Sequence, residues 1–157
     1  MEEEHKEVLP FRFKVSGNII KKFGEESITN KNVAVLEIIK NSYDAGASRV
    51  EIFFKHEDIP EYASIEISDD GDGMTSSDLD NKWMNIATPN KQKQLINKKS
   101  NRPVVGEKGI GRLSSESLGK GSIITTYPKG ETKGYEIKFD WDKYQEKDVL
   151  VGEIINE

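Results

Sequence analysis

The chain has no cysteine. That removes disulfides, thiolate metal sites and cysteine nucleophiles at once. Histidine is nearly as scarce: His5 and His56 are the only two. Two are too few for a histidine-rich metal centre and poorly suited to a compact Ser-His-Asp triad. No apolar run approaches the roughly 18 residues that a membrane-spanning helix needs. The opening "MEEEHKEV" is acidic where a signal peptide is basic. Positive charge is not in excess either, with 23 Lys and Arg against 28 Asp and Glu for a net charge of −5. That balance argues against sequence-blind nucleic-acid binding across the whole surface. Together these absences lead to the expectation of a soluble, cytoplasmic domain with no membrane partner. Nucleic acid could then enter only through regions outside this sequence.

What is present suits one folded domain. A length of 157 residues can bury a real core, and 34% hydrophobic against 32% charged residues is not a disordered composition. There is no repeat and no low-complexity segment. "FRFKV" (Phe11–Val15) alternates as a short strand does, and "NIIKKFG" reads as a short helix closed by Gly24. Thr29 or Asn30 can cap a helix through "KNVAVLEIIKNSYDA" that stops at Gly46. "RVEIFFKH" and "ASIEIS" read as strands by alternation and β-branched content. A further helix is expected over "SSDLDNKWMNI", capped by Thr75 or Ser76. "TPNKQKQLINKKSNRPVV" is polar and lysine-rich with no clear period, which predicts a long loop. "SIITTYP" and "GYEIKFDW" predict a hairpin around "KGETKG". This order of elements predicts an α/β fold, a two-layer sandwich rather than a doubly wound parallel sheet.

Three polar clusters stand out. On a helix, steps of four and seven residues advance about 40° and −20° around the axis, so Glu37, Asn41 and Asp44 share one narrow stripe. Val35, Leu36, Ile38 and Ile39 are expected on the opposite side, packed on a sheet. The stripe reads either as a solvated face or as the carboxylate and amide that a general base and a Mg²⁺ ligand require. The second cluster, "SDDGDGM" (Ser68–Met74), is an acidic turn after a strand. It fails as a calcium loop, because positions five and six from Asp70 are Met74 and Thr75. It fits better as a strand-end carboxylate, Asp69, beside two glycines whose bare backbone admits a flat ligand. The third, "GEKGIGRLS" (Gly106–Ser114), places three glycines ahead of a helix, where backbone amides can surround an anion. It is neither a Walker loop nor a dinucleotide fingerprint.

Taken in order, the three clusters resemble the motifs of the GHKL superfamily of gyrase, heat-shock chaperone, histidine kinase and MutL. "EIIKNSYDAGA" is similar to its Asn-containing helix motif, "DDGDGM" to its first glycine box and "GEKGIG" to its second. The matches cover about 75 residues, Glu37 to Gly111. The resemblance implies a Bergerat-type ATP-binding fold, with a mixed sheet and helices on one face, and it implies ATP and Mg²⁺ as ligands. By position Glu37 would be the general base, Asn41 the Mg²⁺ ligand, and Asp44 a support for the site through water or the lid. Asp69 would accept from the adenine amine, at the floor of a pocket rimmed by Asn41 and Gly73. Gly71 and Gly73 would leave room beside the base, with Met74 packed near it. Gly106, Lys108, Gly109, Ile110 and Gly111 would wrap the phosphates. Thr88 and Lys91, in "WMNIATPNK", would add contacts at the start of a lid spanning about 88–105.

A carboxylate one turn before Asn41 is the arrangement of the hydrolysing branches, so the resemblance favours an ATPase. The alternatives are a non-hydrolysing nucleotide-binding module and a histidine-kinase-type catalytic domain. The resemblance is nearest to bacterial chaperone-like or MORC-like ATPases. The hydrolysing branches usually add a strand with a Gly-Thr pair, and no Gly-Thr pair occurs here. The expectation is therefore an N-terminal piece of a longer protein, with further C-terminal domains, that forms a homodimer when ATP is bound.

Overall fold

The computed structural model describes residues 13–27, 30–86, 96–97, 102–106, 111–146 and 149–157. The chain enters through Ser16, which forms an antiparallel bridge with Leu150. Phe13–Val15, expected in a strand, lie outside any strand, and Phe13 is fully exposed. Helix α1 (Ile19–Ser27) does not close at Gly24 but runs past it. There Gly24 permits a close crossing: a Cβ at this position would come within 2.7 Å of the Glu116 carboxylate. Helix α2 (Lys31–Asp44) starts at Asn30, whose side chain accepts from the Val33 amide, the usual capping solution for an orphan N–H. It ends where Gly46 turns left-handed at φ 79°. The Gly46 amide reaches Tyr43 O at 2.9 Å and the Ala47 amide reaches Ser42 O at 3.0 Å, a glycine-dependent C-terminal motif.

Strands β1 (Val50–Lys55) and β2 (Ser64–Asp69) form an antiparallel hairpin with Val50 opposite Asp69 and Lys55 opposite Ser64. The next helix begins with one α-turn, α3 (Ser76–Asp78), held by a reciprocal cap between Thr75 and Asp78, and widens into a π-turn over Leu79–Trp83. A two-residue ladder joins β3 (Ile96–Asn97) to β4 (Arg102–Pro103). A 3₁₀ helix spans Gly111–Leu118, followed by the hairpin of β5 (Gly121–Thr126) and β6 (Tyr135–Asp140). Two short 3₁₀ turns, Trp141–Gln145 and Val151–Glu153, complete the described chain.

The core gathers Ile20 of α1, Leu113 of the 3₁₀ helix, Phe139 of β6, and Trp141 and Tyr144 beyond it. Phe139 and Trp141 stack at 4.8 Å between centroids. The described elements are those of an α/β protein, yet the ladders differ from the expected mixed sheet. Among the described residues they are three separate pairs, all antiparallel. Short local connections such as 56–63 and 127–134 favour that outcome, because parallel pairing needs a long crossover.

The packing of α2 also departs from expectation. Its main partner is the 3₁₀ helix rather than a sheet, and Leu36 is 48% exposed. The side it buries is made of small residues, Ala34 at 0% and Ser42 at 4% exposure. Small side chains let the two helices approach closely enough for Ser114 Oγ to donate to Ala34 O at 3.3 Å. Among the described residues no helix is long and apolar enough to cross a membrane.

Candidate functional site

Helix α2 is the hub onto which both glycine-rich segments close. Glu37 and Asn41 lie one turn apart and are half-buried, with Asp44 in the last turn. Glu37 pairs with Lys40 at 2.6 Å, and its side chain is 28% exposed. The first glycine segment joins the C-terminal end of the helix. Ser42 Oγ donates to Asp69 Oδ2 at 2.8 Å, and the Gly71 amide donates to Asp69 Oδ1 at 2.8 Å. The Asp72 amide then reaches Ala45 O at 2.9 Å. The second glycine segment meets the same helix on either side of Asn41. Asp44 accepts from the amides of Val105 at 2.8 Å and Gly106 at 3.1 Å. Gly111 lies against Glu37, where a Cβ would come within 2.7 Å of Glu37 Oε2.

Both glycines of the first segment are required by the protein's own packing. A Cβ on Gly71 would stand 2.7 Å from Asp69 Oδ1 and 3.0 Å from the Ala45 methyl. Gly73 is left-handed at φ 67°, and its Cβ would fall 2.2 Å from Tyr127 O. Beside it the Met74 amide donates to Thr126 Oγ1 at 2.8 Å, so the β5–β6 hairpin clasps this turn. Thr88, Lys91, Lys108, Gly109 and Ile110, and most of the expected lid at 88–105, lie outside the described residues.

Several site-building residues escaped the sequence reading. Ser42 is buried at 4% exposure and holds Asp69. Asp70 takes up the amides of Ser48 and Arg49 at 2.7 and 2.8 Å and the Ser48 hydroxyl at 2.5 Å. These bonds, the Ser48 hydroxyl first, hold its carboxyl down at about 2, since hydrogen bonds to the ionised form favour it. Asp70 thereby ties the exit of α2 to the end of β2. Arg102 donates to Ala47 O at 2.7 Å and lies over the Tyr43 ring at 5.4 Å. The only cue to Ser42 in the sequence is its place one turn from Ile38 and Ala45 on the buried side. Nothing local marks Arg102.

A polar hollow of about 200 Å³ is lined by Asp69 together with Arg49, Glu51, Ser68 and Asp70. Asp69 also accepts from Ser42 Oγ and the Gly71 amide. A mainly apolar cavity of about 220 Å³, lined by Ile20, Trp83, Leu113, Phe139 and Trp141 among others, contains none of the predicted site residues. Among the described residues no cluster of three His, Cys, Asp or Glu could cage a metal ion. A magnesium ion here would depend on one or two protein ligands and on phosphate oxygens, its usual habit in nucleotide sites. The side-chain oxygen of Asn41, one turn after Glu37 on α2, is of the kind such an ion needs.

The family model described as histidine kinase-, DNA gyrase B-, and HSP90-like ATPase matches residues 28–156. A DNA mismatch repair protein MutL from Thermodesulfovibrio yellowstonii is 31% identical over 121 residues, which are 76% of this chain and 21% of that protein. DNA mismatch repair protein PMS1 from Saccharomyces cerevisiae is 32% identical over 112 residues, 70% of this chain and 12% of that protein. The chain thus spans about a fifth or less of the length of these curated relatives. They are mismatch repair proteins, and nothing in them speaks for the chaperone-like or MORC-like placement. A match over this much of the chain, on a helix hub that gathers both glycine segments, decides the family: the chain belongs to the histidine kinase-, DNA gyrase B- and HSP90-like ATPases, the GHKL superfamily.

Proposed function

We propose that this domain binds Mg-ATP and hydrolyses it slowly, and that bound nucleotide closes the 88–105 segment and favours a homodimer of the protein that carries it. The observation that carries the reading is the convergence on α2. Asp69 is held at one end through Ser42, Gly106 is held by Asp44, and Gly111 lies against Glu37. Asp69 would accept from the adenine amine, and the backbone between Gly106 and Gly111 would surround the phosphates, with Lys108 adding positive charge. Asn41 would hold magnesium, which supplies charge neutralisation on the phosphates when bound. Glu37 would take the proton of the attacking water as the bond to the γ-phosphorus forms and the bond to the ADP oxygen breaks. Positioning and electrostatics dominate such transfers, so turnover is slow unless a partner completes the site.

One observation favours a second reading, a nucleotide-binding module that does not hydrolyse. The Glu37 carboxylate is engaged by Lys40 at 2.6 Å, which competes with its use as a base. Glu37→Gln decides between the two. For an ATPase the substitution leaves ATP affinity within about twofold and lowers turnover by about 10²–10⁴, the scale of a lost general base. Turnover unchanged by the substitution would remove Glu37 from the chemistry, and a wild-type protein that binds ATP without cleaving it would establish the second reading.

A further inference from the structure

The apolar cavity of about 220 Å³ belongs to no role assigned so far. Its floor is the buried core: Ile20, Leu113, Phe139, Trp141 and Tyr144 line it and are each no more than 9% exposed. Met84 and Gly152 also line it and are exposed, which opens a way in. One wall stands on the π-turn of Leu79–Trp83, where the Met84 amide reaches back to Leu79 O at 2.8 Å. Such turns are rare and occur frequently at functional sites. Interiors hold few voids larger than a water molecule, and water settles in a space of this size only against several polar partners. This lining offers few.

Its chemistry describes what would fit. None of the described residues that line it is charged, so an ion inside would go uncompensated. Trp83, Phe139, Trp141 and Tyr144 supply aromatic surface, with Phe139 and Trp141 stacked at 4.8 Å and 13°, a setting for a flat ring. An apolar cavity of about 150 Å³ holds benzene, so one of about 220 Å³ has room for two fused rings. A single polar pair completes the wall. The Asn156 amide nitrogen donates to Tyr144 OH at 2.8 Å, which leaves its second N–H for a carbonyl or another acceptor. We propose that this cavity binds an uncharged fused-ring molecule with one hydrogen-bond acceptor, at a site distinct from the cluster on α2.

Both tryptophans of the chain, Trp83 and Trp141, line the cavity, so their indole N–H resonances report its occupant in an NMR titration. Indanone, fused rings bearing one carbonyl, should shift both signals and saturate with a dissociation constant of about 100 μM, a modest efficiency for about ten non-hydrogen atoms. Indane, the rings alone, should bind about fivefold more weakly, the scale of one neutral hydrogen bond. Indanecarboxylate, the same rings with a charge, should bind at least about tenfold more weakly than indanone. Asn156→Leu should bring indanone and indane within about twofold of each other, a ratio that lost stability alone does not move. Ser115→Leu fills the cavity from its wall and should weaken both ligands at least about tenfold. Should that variant not fold, Ile124→Phe carries the same comparison. Saturating Mg-ATP should leave indanone affinity within about twofold. The proposal is overturned by unmoved indole signals, by wild-type affinities equal for indanone and indane, or by indanecarboxylate binding as tightly as indanone. Affinity untouched by the filling variants, or displacement of indanone by Mg-ATP, would overturn it equally.

Discussion

Gly73→Ala is the substitution whose cost the structure defines most sharply. The backbone at Gly73 is left-handed, φ 67°, and an alanine there bears about 1–2 kcal/mol of intrinsic strain. The methyl would also meet backbone on all sides that matter, at 2.2 Å from Tyr127 O, 2.6 Å from Tyr127 C and 3.0 Å from Pro128 Cα. Backbone cannot rotate aside as a side chain can, so the turn and the β5–β6 loop must separate. Two bonds join them at this point, Lys129 N to Asp72 O at 2.9 Å and Met74 N to Thr126 Oγ1 at 2.8 Å. Each contributes about 1 kcal/mol. The sum is about 3–4 kcal/mol, a large part of the roughly 5–15 kcal/mol that a domain has. At this chain length it lowers Tm by about 10 °C. Gly130→Ala is the matched control, being left-handed at φ 85° with nothing within 4 Å of its Cβ. It carries the strain without the collision and should cost about 1–2 kcal/mol. The assay is thermal and urea unfolding of both variants beside the wild type. A Gly73→Ala cost within about 1 kcal/mol of the Gly130→Ala cost would refute the argument that this glycine is required by the Tyr127 backbone.

Other outcomes follow from single contacts. Ser42→Ala removes the buried hydroxyl that holds Asp69 at 2.8 Å. It should lower urea stability by about 1 kcal/mol, the low end for a bond to a charged acceptor because Asp69 is itself exposed and can be resolvated. Asp78 is held down at about 2 from 3.8, first by Lys82 and further by Thr75. Its folded value lies below its unfolded one, so its stabilising contribution is complete above about pH 4 and fades as pH falls toward 2. Asp78→Asn should therefore reduce urea stability at pH 7, by about 1 kcal/mol or less for a partly exposed pair, and should lose less than the wild type between pH 4 and 2. An unchanged acid slope would remove this carboxylate from the acid response.

Much of the site was readable along the chain because its signals are local. "NSYDAGAS" announces a helix end, since only glycine enters the left-handed turn at Gly46 without strain, and Asn30 caps α2 as its side chain allows. Alternation marked β1 and β2, and "KGETKG" marked the turn between β5 and β6. Where local and tertiary signals conflicted, the tertiary ones decided. Gly24 looks like a helix end and is a crossing point, while Leu36 looks like core and is exposed because α2 buries Ala34 and Ser42 instead. "FRFKV" alternates like a strand, yet the residues described there, Phe13–Val15, lie in none.

By itself the sequence determined the longer helix and the two longer hairpins, and the three clusters that together identify an ATPase family, since helix periodicity, strand alternation and glycine turns are all written within a few neighbouring residues. Only the folded structure decided that α2 gathers both glycine segments, that Gly71 and Gly73 answer to Asp69, Ala45 and Tyr127, and that Ser42 and Arg102 hold the arrangement in place. Those facts depend on contacts between residues far apart along the chain, such as Arg102 with Ala47 at 55 positions and Gly106 with Asp44 at 62. Distances of that kind are set by how helices and hairpins pack, and no pattern confined to one segment encodes them.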